Sequence, residues 1–365
     1  MRAFDWLRGI AVLVMIQTHA LSLLRPELRA GSFFTALQWV DGLVAPAFIF
    51  SSGFALALTQ VRAALASNAA AARAQRLRRT LRRVFEVLFV ATLMNWMWFP
   101  IFREPRWIIR IDILQCIGLS LLLALPALFL LAPRPGALRW TALGLAALAF
   151  FVSPLVERVP VPLGHFVNVA SGSTFPLLPW GGYVYLGAAV GAATATGGPR
   201  ACARWLVGFV GLGLLLWFLT PQLSAAYPPH EFWVTNPANH ARRLTQVSLI
   251  ALGLLAVEQL RSGAWRAPSP LRFVIESFGT SSLAGYFLHE TLLYYRIFGF
   301  SFHRVWGERC SWGLYWLLLA LLIAATFALT VLVDRIYRRA DQLFAGPRGG
   351  AAAVPAVLSP PQETR

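Results

Sequence analysis

Two ionisable side chains stand inside the first apolar stretch of this chain, DWLRGIAVLVMIQTHALSLL at residues 5–24: Arg8 and His19. Eleven positions at ~100° each make three turns plus ~20°, so a helix carries both on one face, ~16 Å apart in depth. The stretch has the ~20 residues needed to cross a bilayer. A guanidinium suits phosphate, and a partly buried neutral imidazole can take a proton. Ionisable groups inside a span usually face a protein interior or a wet cavity, and they are functional candidates by default.

Further polar residues fall at matching depths. Asp41 lies four residues into an apolar stretch at 37–60. Asp112 opens the stretch 112–132, with Gln115 one turn deeper on the same face. His289 and Glu290 lie about five residues from the end of 273–294. If these stretches bundle with the N-terminus in the cytoplasm, His19, Asp41, Asp112, Gln115, His289 and Glu290 share the outer third of the membrane. Arg8 and Glu276 then lie near the inner edge. A carboxylate beside an imidazole orients it as a base. Each residue also has a structural reading. Asp41 and Asp112 can cap the helices they open, His289 can be a packed imidazole, and His19 can hydrogen-bond between helices. Histidines and carboxylates also ligate metals, but no HExxH or His-x3-His pair stands on one helix, so no metal is expected.

The elements that must position these groups are read from the apolar pattern. The chain is 58% hydrophobic with a mean hydropathy of +0.62, too apolar for a soluble domain of this length. Ten stretches read as spans: 5–24, 37–60, 84–102, 112–132, 140–156, 175–196, 203–221, 244–261, 273–294 and 312–334. The fold class is therefore all-α, a polytopic integral membrane bundle of about ten helices. The first span reads as retained, because it is longer than a signal-peptide core and no small-residue cleavage site follows it. The net charge of +17 comes entirely from arginine, since the chain has no lysine. Twenty arginines fall on the N-terminal side of the bundle and eleven on the other, which places both termini in the cytoplasm. These arginines sit in short loops with no groove-reading motif, which argues for lipid head groups as partner and against nucleic acid.

Residues 1–340 read as one transmembrane domain of a cytoplasmic (inner) membrane protein. Within it, the Ala/Arg-rich segment 61–83 is a basic cytoplasmic connector on anionic lipid. Residues 341–365 are Ala/Pro-rich and read as a disordered cytoplasmic tail. The three cysteines lack metal or redox spacing and read as packing residues. Segment 222–243, which holds His230, Glu231, His240, Arg242 and Arg243, reads as an interfacial loop.

At this point the residues resemble a known family. The Arg8-x10-His19 pattern resembles the Arg-x10-His motif of the acyltransferase 3 family. The wider chain is similar to the related heparan-α-glucosaminide N-acetyltransferase-like membrane proteins. The pieces that carry the likeness are DWLRGIAVLVMIQTH (5–19), VDGLVAPAFIFSSGFAL (40–56), IDILQCIGLSLLLA (111–124), FPLLPWGGYVYLGAAVG (175–191) and AGYFLHETL (284–292).

The resemblance implies a ten- or eleven-helix enzyme that takes an acyl group, commonly acetyl, from cytosolic acyl-CoA. It passes that group to a hydroxyl or amine acceptor, often a sugar, across the membrane. Arg8 and His19 take the motif positions, and Asp41 takes the acidic position before Pro-x-Phe. His289-Glu290 is similar to the late His-Glu pair of the animal enzymes. Those enzymes carry a histidine in the first luminal loop, whereas RAGSFFTALQWVD here has none. The chemistry is then expected on His19 or His289. Arg8, with Gln115 and Asp112, would hold acyl-CoA, while His19, Asp41, His289 and Glu290 would do the transfer, either directly or through an acyl-histidine. The same set would also suit a proton-coupled transporter or flippase, or a scaffold whose site has decayed.

Overall fold

A backbone in lipid must satisfy its own hydrogen bonds, and long apolar runs do this as helices. The computed structural model describes residues 1–67, 69–98, 109–160, 162–260, 269–295 and 299–344, and there is no strand among them. The helices are α1 (Ala3–Ala20), α2 (Ser32–Asp41), α3 (Val44–Ala66), α4 (Ala70–Trp98), α5 (Ile113–Leu131), α6 (Pro135–Val152), α7 (Gly164–Val167) and α8 (Leu177–Phe218). They continue with α9 (Thr220–Ala225), α10 (Phe232–Thr235), α11 (Pro237–Leu260), α12 (Pro270–Thr280), α13 (Ser282–Tyr294), α14 (Phe302–Trp306) and α15 (Trp312–Phe344). Seven stretches among the described residues are long and apolar enough to cross a membrane.

Several expected spans have an internal break or a different start. The stretch 37–60 is two helices, because α2 ends at Asp41 and α3 starts only at Val44, after Gly42 and Leu43. Asp41 therefore does not cap the span it was expected to open; Leu43 holds that position. The stretch 273–294 is broken at Ser281 (φ −111°, ψ 36°) into α12 and α13, of 11 and 13 residues. The expected spans 175–196 and 203–221 do occur as two arms of α8, which bends at Gly198 (φ 62°, ψ −156°) just before Pro199. Only glycine takes that backbone conformation without strain.

The basic segment 61–83, expected as a connector, is itself largely helical: it forms the end of α3 and the start of α4. Most of it runs without interruption into the helix that carries the third apolar stretch. Arg76 Nη1 donates to Ser67 O at 2.7 Å, and Gln60 Nε2 donates to buried Thr80 Oγ1 at 2.9 Å, so α4 is fastened to the end of α3. Segment 222–243 is largely helical as well, since it contains α9, α10 and the start of α11. Residues from 345 onward, and so most of the expected tail, lie outside the described residues.

The first arm of α8 is the centre of the bundle: Tyr183, Val184, Ala189, Val190, Ala192 and Ala193 are fully buried. It meets α3 backbone to backbone. A Cβ at Gly187 would lie 1.9 Å from Phe50 O, and one at Gly53 would lie 1.9 Å from Val184 O. Small residues allow such contacts, which supply packing where lipid removes the hydrophobic drive between helices. Replacing Gly187 with valine is therefore expected to cost at least ~1–3 kcal/mol of stability by overpacking. The check is the melting temperature of the detergent-purified protein, compared with Gly211→Ala, a site with no neighbour within 4 Å. Equal melting of the two variants would disprove the close contact.

The N-terminal half of α1 is held against α12 in the same way. Cβ atoms at Gly9 and Gly279 would each fall 2.0 Å from a carbonyl oxygen, of Ile275 and Asp5 respectively. The free N–H groups that open α1 are met by Glu258, which accepts from Arg2 N at 2.8 Å and from Ala3 N at 2.9 Å.

Candidate active site

The last turn of α1 and the second half of α13 bring His19, His289 and Glu290 together. His289 is fully buried, and its Nδ1 donates to Gly285 O at 2.9 Å, one turn back on its own helix. A carbonyl can only accept, so in the neutral ring Nε2 of His289 carries the lone pair. That Nε2 lies 2.9 Å from Nδ1 of His19. Nδ1 of His19 also contacts the Glu290 carboxylate, the second acceptor beside it. With two acceptors facing it, Nδ1 of His19 holds the proton and Nε2 is left as the basic nitrogen. Nε2 makes no hydrogen bond among the described residues. Tyr294 closes the cluster from one turn further along α13, donating to His19 O and to Ser22 Oγ, both at 3.1 Å.

His19 and Glu290 open onto a cavity of about 460 Å³ whose wall also includes Asp41, Asp112, Gln115 and Arg110. Five of the residues expected to share one depth thus line one space, and His289 stands directly behind His19. Their local roles differ. Asp112 caps α5 by accepting from Ile113 N at 2.7 Å. Gln115 completes the capping box, accepting from Asp112 N at 3.1 Å and donating to Ala91 O at 2.9 Å. Both of these side chains are committed to the start of their helix.

Asp41 is in the opposite situation. Both of its carboxylate oxygens are buried, and neither has a hydrogen-bond donor among the described residues. Thr18 stands beside it, but the Thr18 hydroxyl donates to Val14 O at 2.8 Å. A buried acceptor without a donor is costly, which sets Asp41 apart from Asp112 and Gln115 in the same wall.

Arg8 does not line this cavity. It pairs with Asp5 on its own helix, at the end where Trp6 and Arg272 both donate to Glu276, at 3.0 and 2.9 Å. A second, narrow cavity of about 80 Å³ shares Met15, Ile113, Leu114 and Tyr286 with the main one. It extends past Phe48, Ser52 and Ser282, toward the end that carries Arg8.

Sequence reading missed Tyr286, Tyr294, Asn95 and Arg110, all of which line the main cavity. The two tyrosines stand at i−4 and i+4 from Glu290, so the face of α13 that carries the candidates was itself the signal. Asn95 was visible as an amide inside an apolar stretch; it is buried and donates to Arg110 O at 2.8 Å. The ligand atoms of His19, His289 and Glu290 lie within 4.8 Å of one another, a donor set that a cation would accept.

A helical bundle with seven stretches of spanning length among the described residues, built around a cavity with a histidine–carboxylate cluster, is a multi-pass membrane protein. The chain belongs to the heparan-α-glucosaminide N-acetyltransferase catalytic family, whose model matches residues 1–220. The match spans α1 to α8, and with them His19, Asp41, Asp112 and Gln115, but not α13. No curated protein matches the chain. Membership carries membrane acetyltransferase activity as the family's general property, with acetyl-CoA as its usual co-substrate.

Proposed function

We propose that this protein moves an acyl group, acetyl in keeping with its family, from cytosolic acyl-CoA to a hydroxyl or amine acceptor, a carbohydrate, at the outer face of the inner membrane. The transmembrane domain is residues 1–340, which cross ten times with both termini in the cytoplasm. Two arms of α8, the apolar half of α4 and the α12–α13 pair supply the crossings beyond the continuous long helices. The observation that supports this reading is the arrangement along α1: His19 in the wall of the large cavity, and a small adjoining cavity whose α1 wall is Met15, about two turns from Arg8.

Arg8 meets the phosphates of acyl-CoA at the cytoplasmic mouth. The pantetheine arm covers the ~16 Å to His19. His19 Nε2 removes the acceptor proton as the oxygen or nitrogen attacks the thioester carbonyl. The carbon–sulfur bond breaks, and the CoA thiolate leaves and takes that proton. Glu290 and His289 hold the ring and balance the charge of the transient imidazolium, and Asp41 accepts from the acceptor molecule. Asp112 and Gln115 shape the mouth through which the arm enters.

Vesicles carrying the purified protein, given radiolabelled acetyl-CoA and a panel of sugars and amino sugars, are expected to release CoA and label an acceptor. EDTA is expected to leave the rate unchanged. Flux of a polar solute driven by a pH gradient, with no CoA released, would overturn the proposal in favour of a transporter.

A further inference from the structure

Away from the histidine cluster, the start of α11 carries two adjacent cations, Arg242 and Arg243, and neither has a carboxylate within 4.0 Å among the described residues. They are held by tryptophan rings. The Arg242 guanidinium carbon stands 4.4 Å from the centre of the Trp39 ring, 5.5 Å from Trp233 and 5.6 Å from Trp217. Arg243 stands 5.3 Å from Trp180. Ring faces stabilise the positive charge but accept few of its hydrogen bonds. Arg242 Nη2 does donate to Asn239 Oδ1 at 3.0 Å. Arg242 Nε and Arg243 Nη1 are buried with no acceptor, and Gln246 Oε1, one turn along, is buried with no donor.

The three residues that carry these unmet atoms line one space. A cavity of about 290 Å³ is walled by Arg242, Arg243 and Gln246 from α11, by Gln38 and Trp39 from α2, and by Trp233 from α10. Gln38 also borders a neighbouring cavity that contains Asp41, and Asp41 borders the catalytic cavity. The space therefore adjoins the site but is separate from it.

We propose that this cavity binds a phosphate ester of a sugar or polyol. Two guanidinium forks side by side present more N–H donors than one carboxylate can accept, whereas a phosphate group has oxygens for both. Gln38 and Gln246 in the wall add amides that suit ligand hydroxyls, and the volume leaves room for the polyol beyond the phosphate. Trp39 and Trp233 are both about half exposed, which suits the membrane–water interface where lipid phosphates lie. The phosphate reaches this site from a lipid head group or from a soluble sugar phosphate. Binding here does not depend on the acyl-transfer reading.

The test uses the full-length purified protein and two probes. Glucose 1-phosphate, with glucose as control, is titrated calorimetrically in detergent. Retention of lipid is read by native mass spectrometry after reconstitution in phosphatidylcholine vesicles with and without phosphatidylglycerol. Arg242→Gln and Arg243→Gln are expected to weaken the bound probe about tenfold or more. If a glutamine variant does not fold, Arg243→Lys carries the test, since it keeps the cation and loses the fork. Saturable glucose 1-phosphate binding that the variants lose establishes a soluble phosphate ester as ligand. Phosphatidylglycerol retained by wild type and lost by the variants, without glucose 1-phosphate binding, establishes a lipid one. Failure of folded wild type to bind either probe, or unchanged binding in the folded variants, overturns the proposal.

Discussion

Replacing His19 with alanine is expected to lower acetyl transfer about 10³-fold, the loss typical of removing a positioned general base. The argument rests on its tautomer. His289 fixes its own proton on Gly285 O, so it and Glu290 are both acceptors toward Nδ1 of His19, which leaves Nε2 basic at the cavity. Alanine also leaves the buried Glu290 carboxylate without its donor, so loss of fold must be separated from loss of base. His19→Gln does this, because its amide still donates toward Glu290 but cannot take a proton. Both variants are to be compared with wild type for CoA release in vesicles, alongside their melting temperatures. Wild-type turnover in either variant would remove His19 from the mechanism.

Substituting Glu290 with glutamine is expected to lower kcat roughly 10²-fold while leaving the KM for acetyl-CoA unchanged. The carboxylate is nearly buried and touches His19 directly. Its charge becomes useful only when His19 turns cationic, which happens as the acceptor proton is removed, so the loss belongs to the transition state. Glutamine keeps the size and one acceptor oxygen, which limits the structural cost. Steady-state kinetics over a range of acetyl-CoA concentrations is the check. A rate within twofold of wild type would show that the carboxylate only packs, and a raised KM with unchanged kcat would move Glu290 to substrate binding.

Depth in a membrane is legible in the amino-acid sequence alone, because each helical residue advances ~1.5 Å and spans begin and end at fixed planes. That is why His19, Asp41, Asp112, Gln115 and Glu290 can be assigned to one level, and they do border one cavity. Direction around each helix is harder to read. Asp112 and Gln115 have the right depth, yet they are occupied with the N-terminus of α5, as the capping pattern Asp-x-x-Gln itself suggests. The break at Ser281 does leave a signal, since the expected span 273–294 is interrupted by the polar run Glu276-Ser277-Phe278-Gly279-Thr280-Ser281-Ser282. The separate α2 is hidden, since its apolar residues continue those of α3 and only Gly42 marks the turn. Arg242 and Arg243 read as part of an interfacial loop because the tryptophans around them come from α2, α8 and α10, far apart in the chain.

One stretch of α1 meets its neighbour through backbone, and another through exchangeable side chains. At Gly9 the helix rests on α12 through bare backbone, a contact that does not respond to protons or water, and beside it Trp6 donates to the Glu276 carboxylate of α12. Near His19 it is tied by hydrogen bonds to His289, Glu290 and Tyr294, with Gln17 bonded to Tyr315 at 3.3 Å, and every one of those ties can be remade when a proton or a water arrives. The backbone contact fixes how closely α1 approaches α12, whereas the partners around His19 are side chains that can be exchanged.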